Sequence, residues 1–197
     1  MKFIKWSVVI LLALPISAFA FYKPIRVLIP EAFGVSCNEH NVCVEDSSQF
    51  AAAVSLLNDS KSYLEAKWGL SIGEPKIIFC STEKCQSTFG LGKKAGFTLG
   101  SLGITIAPRG WEQYYVAHEL IHHWQAENFG SMALLKGEPW LIEGMAYSLS
   151  NDPRKELHEP FESYRNRFND WYRLHAGTPL QKSVGEALSR PGSQNQI

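Results

Sequence analysis

The spacing of apolar residues changes along the chain from strand-like to helix-like. Short apolar runs predict strands at 25–30, 75–81, 96–99 and 103–108. Longer stretches with apolar residues at helical spacing predict helices at 47–69, 111–128, 139–149 and 154–177, the last interrupted near Pro160. Because strands come first and helices second, the pattern favours an α+β fold with a helical C-terminal part.

The first 20 residues follow a separate pattern. Lys2 and Lys5 precede an apolar run, and the stretch ends in Ala18-Phe19-Ala20. This layout is typical of a secretory signal peptide cleaved after Ala20, and the run is shorter than the ~20 residues that a membrane span needs. An uncleaved anchor is the alternative.

With cleavage after Ala20, we expect a signal peptide at 1–20, one domain at 21–188 and a disordered tail at 189–197. The mature chain would be secreted or periplasmic, with no stable membrane association after cleavage.

Composition narrows the class of protein. Hydrophobic residues make up 45% of the chain, which suits one globular domain with a core. Lys plus Arg and Asp plus Glu balance at 19 each, so nothing indicates a nucleic-acid partner.

The four cysteines all follow the predicted cleavage site. An exported chain with an even number favours two disulfides, and the short spacings favour Cys37–Cys43 and Cys80–Cys85. A zinc site built from the four thiolates is the alternative, although neither pair has the C-x-x-C spacing common in such sites.

The predicted helix at 111–128 carries the candidate chemistry, in the stretch AHELIHHW (117–124). His118 and His122 lie one turn apart, about 40° from each other, so both imidazoles can reach one metal ion. Glu119 projects about 100° from His118, beside the metal, where a base could act on a water molecule. His123 lies on the Glu119 side and is expected at the surface or beside the ligands. The packing stripe is Ala117, Leu120, Ile121 and Trp124.

A catalytic zinc needs a third protein ligand and one open position. Glu143 lies among apolar neighbours in the helix that Pro139 begins, and a lone carboxylate there needs a partner such as a dication. We therefore predict one Zn²⁺ per chain, held by His118, His122 and Glu143.

HELIHHW (118–124) followed by WLIEGMAY (140–147) resembles the gluzincin metallopeptidases, whose H-E-x-x-H motif is paired with a downstream glutamate ligand. The flanks resemble the aminopeptidase N branch most. The resemblance implies a zincin-like fold with a small mixed sheet, whose edge strand precedes the active-site helix. It also implies that Glu119 is the general base. GITIAP (103–108) is the candidate edge strand for pairing with a peptide substrate.

The resemblance further implies a tyrosine or histidine that stabilises the oxyanion. Tyr164 is the first candidate because a later helix could fold over the cleft, and Tyr147, His158 and His175 are alternatives. The Gly-Ala-Met-Glu-Asn element that grips a free amine in aminopeptidases is absent.

The expected function is that of a zinc metallopeptidase that cuts peptide or protein substrates internally. Two alternatives stay open. One is a zinc-dependent hydrolase of non-peptide amides such as cell-wall crosslinks, and the other is a non-hydrolytic, zinc-bearing binding module.

Overall fold

The computed structural model describes residues 22–189 and has an α+β fold with a small mixed sheet. The strands are β1 (Ser36–Cys37), β2 (Val42–Val44), β3 (Ile77–Phe79), β4 (Gly96–Thr98) and β5 (Ile104–Ile106). The helices are α1 (Phe50–Trp68), α2 (Glu83–Thr88), α3 (Gln113–Phe129), α4 (Ser131–Lys136), α5 (Pro139–Leu149), α6 (Phe161–Leu174) and α7 (Leu180–Ser189). The predicted long helices at 47–69, 111–128 and 139–149 are thus confirmed.

The strand order in the sheet is β1-β2-β3-β5-β4. The central pairs β2–β3 and β3–β5 are parallel, and the outer pairs β1–β2 and β5–β4 are antiparallel. The strand at 103–108 is therefore not the edge strand that the sequence suggested. Ile104 and Ile106 are buried between β3 and β4, and β4 occupies the edge, beside α3.

The two faces of the sheet bury different sets of residues because successive strand side chains point to opposite sides. Ile77 and Phe79 of β3 face the helices and join the larger core with α1, α3, α5 and α6. Ile78 points to the other face, into a smaller cluster with Val27 and Phe89. The four packing residues predicted for α3 are all buried in the larger core.

Both predicted disulfides are present, Cys37–Cys43 and Cys80–Cys85. They lie at the smaller cluster, on the side of the sheet away from α3. The alternative of a four-thiolate zinc site is wrong, because each sulfur is already bonded to another.

Two stretches differ from the sequence-based expectation. The predicted strand at 25–30 is wrong, since residues 23–28 and 30–33 form 3-10 turns. Pro24 and Pro30 open these turns, lack a backbone donor and have fixed φ angles, which suits a turn better than a strand. The helix predicted from 154 begins only at Phe161. Arg165 holds the preceding segment in place by donating to the carbonyls of Arg154 and Lys155, both at 2.9 Å.

Helix α7 includes Ser189, the first residue of the predicted tail. Residues 190–197 and the predicted signal peptide lie outside the described residues. Within 22–189, no helix combines the length with the apolar character that crossing a membrane requires.

Candidate metal centre

Two helices bring the three predicted metal ligands together. His118 and His122 lie on α3, and Glu143 lies on α5, which packs against it. The two histidine Nε2 atoms are 3.1 Å apart, and each lies 3.6 Å from Oε2 of Glu143. The ligand atoms of the three residues all lie within 4.8 Å of one another. The predicted His-His-Glu group therefore exists as a geometric unit.

The donor set fits zinc in both chemistry and size. Zinc takes nitrogen and oxygen ligands at about 2.0–2.2 Å in tetrahedral sites, which places two ligands about 3.4 Å apart. The separations of 3.1 and 3.6 Å bracket this value. Three protein ligands leave one tetrahedral position for water or substrate, as catalytic zinc sites require.

Gln125 fixes the ring of His122. Its Nε2 donates to the carbonyl of Ile142 at 3.1 Å, so its Oε1 is left to accept from Nδ1 of His122 at 2.9 Å. A proton on Nδ1 leaves Nε2 as the nitrogen that faces Glu143 and can bind a metal. Gln125 is 1% exposed, and its bond to α5 also ties together the two helices that carry the ligands.

Glu143 favours the charged form of His122. Burial alone would lower the pKa of His122, but the hydrogen bond and negative charge of Glu143 outweigh it and raise that pKa to about 9. Burial would likewise raise the pKa of Glu143, but the two imidazoles hold it well below its usual range. A metal ion and the second proton of His122 therefore compete for the same ring nitrogen.

Glu119 lies beside this triad, against the edge strand. It is 7% exposed, and Oγ1 of Thr98 lies 2.7 Å from its Oε2 and 3.0 Å from its backbone oxygen. A Cβ atom at Gly96 would stand 2.6 Å from Cγ of Glu119, so only glycine leaves room for this side chain. Within residues 22–189, no ion pair involves Glu119, which leaves its carboxylate available for chemistry.

His123 is outside the ligand group, as the helical spacing predicted. His123 was expected either at the surface or beside the ligands. Because it is only 2% exposed, the surface position is wrong. Its Nδ1 lies 3.3 Å from the carbonyl oxygen of Gly100, and its Nε2 lies 3.3 Å from Glu127. His123 thus links α3 to the turn between β4 and β5.

Of the two tyrosine candidates for the oxyanion donor, one lines the cleft at the triad and the other does not. Tyr147, one turn after Glu143, has its ring centroid 4.5 Å from that of His118 and lines the cleft above the triad. Tyr164 does not line this cleft; its backbone carbonyl packs against Gly144, and its ring contacts Phe161. The structure therefore favours Tyr147 over Tyr164 for this position.

The two histidine candidates lie away from the triad. His158 and His175 are exposed, and neither lines the cleft. His175 stacks on Trp171, with ring centroids 4.4 Å apart.

The cleft has a volume of about 870 Å³ and contains several groups that the sequence analysis did not identify. They come from β4, from the start of α3 and from the segment after α5: Thr98, Tyr114, Tyr115, Asp152 and Arg154. None belongs to a spacing pattern with a known chemistry. Only the fact that Tyr114 and Tyr115 lie one turn before His118 could have suggested their presence.

No family model, curated protein or solved structure matches this chain.

Proposed function

We propose that this chain is an exported zinc metallopeptidase of gluzincin type, with His118, His122 and Glu143 as the zinc ligands. The observation that carries the proposal is the position of Glu119. Its carboxylate is buried beside the ligand triad, and its one hydrogen-bond partner among the described side chains is a neutral hydroxyl. A purely structural zinc site has no use for such a group, whereas hydrolysis needs a base there.

The arrangement of elements supports a zincin-like fold. In the resembling peptidases an edge strand lies beside the metal-bearing helix and pairs with bound peptide, and here β4 has that place in the sheet. Pairing through backbone groups tolerates many substrate sequences, because it does not read side chains. We therefore assign peptide binding to β4 in place of 103–108.

The residues of the cleft have different roles in the proposed reaction. When bound, zinc would polarise both a water molecule and the scissile carbonyl. Glu119 accepts the proton of the attacking water and delivers it to the departing amine, so that no proton is lost or gained overall. Thr98 orients the carboxylate of Glu119 through its hydroxyl.

Tyr147 is the proposed donor to the oxyanion. Burial, followed by the charge of Glu143, raises the pKa of Tyr147 to about 12. Its hydroxyl therefore stays protonated at neutral pH and can donate a hydrogen bond to developing negative charge.

Substrates are proposed to be peptides or proteins cut internally, because the amine-gripping element of aminopeptidases is missing. The two disulfides support an oxidising compartment such as the periplasm or the extracellular space. The non-peptide amidase and the binding module are the competing functions.

The test is zinc content and hydrolysis of the mature chain and of Glu119→Gln. We expect one zinc per chain in both proteins, with turnover reduced by about 10²–10⁴-fold in the variant. Glu112→Gln is the matched control, since Glu112 is exposed and immediately precedes the same helix. A variant that holds zinc and turns over within a few-fold of the parent would remove Glu119 from the mechanism.

The choice of substrate separates the three functions. An internally cut peptide should be cleaved equally well with a free or an acetylated N-terminus, whereas an aminopeptidase would lose the acetylated form. Cleavage of cell-wall crosslinks but of no peptide would establish the amidase. A zinc-loaded chain that hydrolyses neither would establish the binding module.

A further inference from the structure

The cleft has two chemically different ends. β4 passes α3 with Gly96 against Glu119, and Gly100 beyond it lies near His123. The chain before Gly96 therefore lies toward the N-terminal end of α3, and the chain after Thr98 lies toward its C-terminal end. The metal ligands are between these two ends.

The end near the start of α3 is basic and aromatic, and we call it the basic end. It is lined by Lys93, Lys94, Arg109, Tyr114, Tyr115 and Arg154. Asp152 is the one carboxylate among the lining residues there, so cations outnumber it four to one. The opposite end is lined by apolar side chains, namely Leu99, Leu102, Leu134, Leu135 and Ile142.

Arg154 makes more side-chain hydrogen bonds than any other cation of the basic end. Its Nε donates to Oδ1 of Asp152 at 2.8 Å, and its Nη2 donates to Oδ2. The side chain of Asp152 is 2% exposed, whereas that of Arg154 is 40% exposed. Arg165 also holds the backbone carbonyl of Arg154 at 2.9 Å. A buried carboxylate thus positions a guanidinium that still faces the cleft.

Arg154 keeps hydrogen-bonding capacity for a ligand. Guanidinium has five N–H donors, and within residues 22–189 no partner is found for its Nη1. Three tyrosine rings surround its Cζ, with centroids 5.5 Å away for Tyr115, 5.7 Å for Tyr147 and 5.8 Å for Tyr114. Aromatic walls exclude water and strengthen a charged hydrogen bond made between them.

The basic end is close to the reacting centre. The ring centroid of Tyr147 lies 5.7 Å from Cζ of Arg154 and 4.5 Å from the ring centroid of His118. The two groups are therefore at most about 10 Å apart, a distance that about three residues of extended peptide cover. A substrate group bound at Arg154 would belong to a residue very near the scissile bond.

We propose that the basic end is a carboxylate subsite and that Arg154 is its principal ligand. The subsite would select substrates with a carboxylate within about three residues of the cleaved bond and an apolar residue on the other side. Asp152 occupies the Nε–Nη2 edge of the guanidinium, and Nη1 with the second hydrogen of Nη2 forms another edge that can bind both oxygens of a carboxylate. This inference rests on the proposed peptidase function and names the substrate class of the same cleft.

The carboxylate could be an acidic side chain or a free C-terminus, and three peptides separate these sources. The first has a glutamate near the scissile bond and an amidated C-terminus. The second replaces that glutamate with glutamine. The third keeps the glutamine and has a free C-terminus close to the scissile bond. We expect kcat/KM at least about tenfold higher for the first or third peptide than for the second.

Variants at Arg154 test whether it causes the preference. In the parent, kcat/KM for a carboxylate peptide is expected to exceed kcat/KM for the neutral peptide. Arg154→Gln should reduce this ratio of kcat/KM values to within about threefold of one, and Arg154→Lys should retain part of the preference. If Arg154→Gln fails to fold because Asp152 is left unpaired, the double variant Asp152→Asn/Arg154→Gln removes the buried charge as well. Arg173→Gln is the matched control, since Arg173 is exposed and outside the cleft. Its ratio should equal that of the parent.

A binding experiment separates this inference from the proposed function. The three peptides are titrated calorimetrically into zinc-loaded Glu119→Gln protein, in which binding does not depend on turnover. Tighter binding of a carboxylate peptide, lost in Glu119→Gln/Arg154→Gln, supports the subsite even if no peptide is cleaved. Equal binding of all three peptides, or a preference that survives the loss of Arg154, overturns the subsite even if peptides are cleaved.

Discussion

Glu119 reaches the cleft from a buried position on α3, and two residues of β4 determine where its carboxylate lies. Thr98 provides a hydroxyl at 2.7 Å, and Gly96 provides the space that any Cβ would occupy. At the residue scale, the proposed catalysis would therefore depend on the edge strand as well as on the motif helix. In that proposal Thr98 and Gly96 are positioning residues, because they act through Glu119.

Thr98→Val should lower kcat by about tenfold or more, because a hydrogen bond to a charged group is worth about 1.5–3 kcal/mol. Zinc content and KM should change little, since no metal ligand is altered. Thr98→Ser keeps the hydroxyl and should restore most of the rate, which a merely structural role for the side chain would not explain. Equal rates for the valine and serine variants would contradict the assignment.

Gln125 should control metal affinity, since it fixes the tautomer and orientation of His122. Gln125→Leu is expected to weaken zinc binding by about 10–100-fold, as is typical when a residue that orients a metal-bound histidine is lost. Competition with a chromophoric chelator measures this change. Gln181→Leu, at an exposed position on α7, is the control. Unchanged affinity in Gln125→Leu would show that the ring of His122 needs no such support.

The group of His118, His122 and Glu143 could be predicted from the sequence, whereas most of the residues around it could not. His118 and His122 are related by one helical turn, which is a local rule, and Glu143 stood out as a carboxylate among apolar residues. Gln125 follows His122 by three residues on the same helix, so helical spacing alone could have suggested their contact. Thr98 and Arg154, in contrast, reach the site through contacts between separate elements. No spacing pattern encodes such contacts, so they appear only once the fold is known.

At the scale of elements, the close approach of α5 and α6 shapes the back of the site. A Cβ at Gly144 would stand 2.3 Å from the carbonyl oxygen of Tyr164. Gly144 therefore lets α6 lie directly on α5, next to the predicted ligand Glu143. This packing places the backbone of Tyr164 against the helix that carries Glu143.

Gly144→Ala should destabilise the fold by about 1–3 kcal/mol, because the added methyl group overpacks a helix interface made with backbone atoms. Urea denaturation measures the free energy of unfolding. Gly185→Ala is the matched control within helix α7, where the new Cβ would lie at an ordinary 3.4 Å from Phe129. That change should be neutral or stabilise by up to about 1 kcal/mol. Equal effects of the two substitutions would contradict the packing argument.

Long elements were easier to predict than short ones. The helices α1, α3 and α5 contain several turns, so their apolar spacing repeats and is recognisable. The strands have two or three residues each, too few to separate by pattern from the 3-10 turns at 23–33. The position of β4 at the edge depends on parallel pairing between β3 and β5, which residues far apart in the chain decide.

At the scale of the whole molecule, the candidate metal centre lies between two helices of the larger core, and the disulfides lie on the opposite side of the sheet. The stability of the fold should therefore depend on metal binding and on pH together. His122 and Glu143 determine that dependence, because zinc and a proton compete for the same nitrogen.

For metal-free protein prepared with a chelator, the two pKa shifts determine whether the stability of the fold rises or falls with pH. The pKa of His122 is raised from 6.5 to about 9, so its contribution to stability is complete below pH 6.5 and is lost as the pH rises through 9. The pKa of Glu143 is lowered from 4.5, so its contribution is present above pH 4.5 and is lost only in stronger acid. The contribution of this pair should thus be greatest at about pH 4.5–6.5 and decline toward pH 9.

Zinc should reverse this trend, because it binds the neutral form of His122 and is held more tightly as the pH rises. The increase in Tm caused by zinc should therefore grow from pH 6.5 to pH 8.5, as measured by thermal denaturation of chelated and zinc-loaded samples at each pH. Glu143→Gln should remove most of the pH dependence of the chelated sample, since the charge that raises the pKa of His122 is gone. A zinc-induced increase in Tm that is constant or shrinks over this interval would show that no proton is displaced from His122, and would contradict its assignment as a ligand.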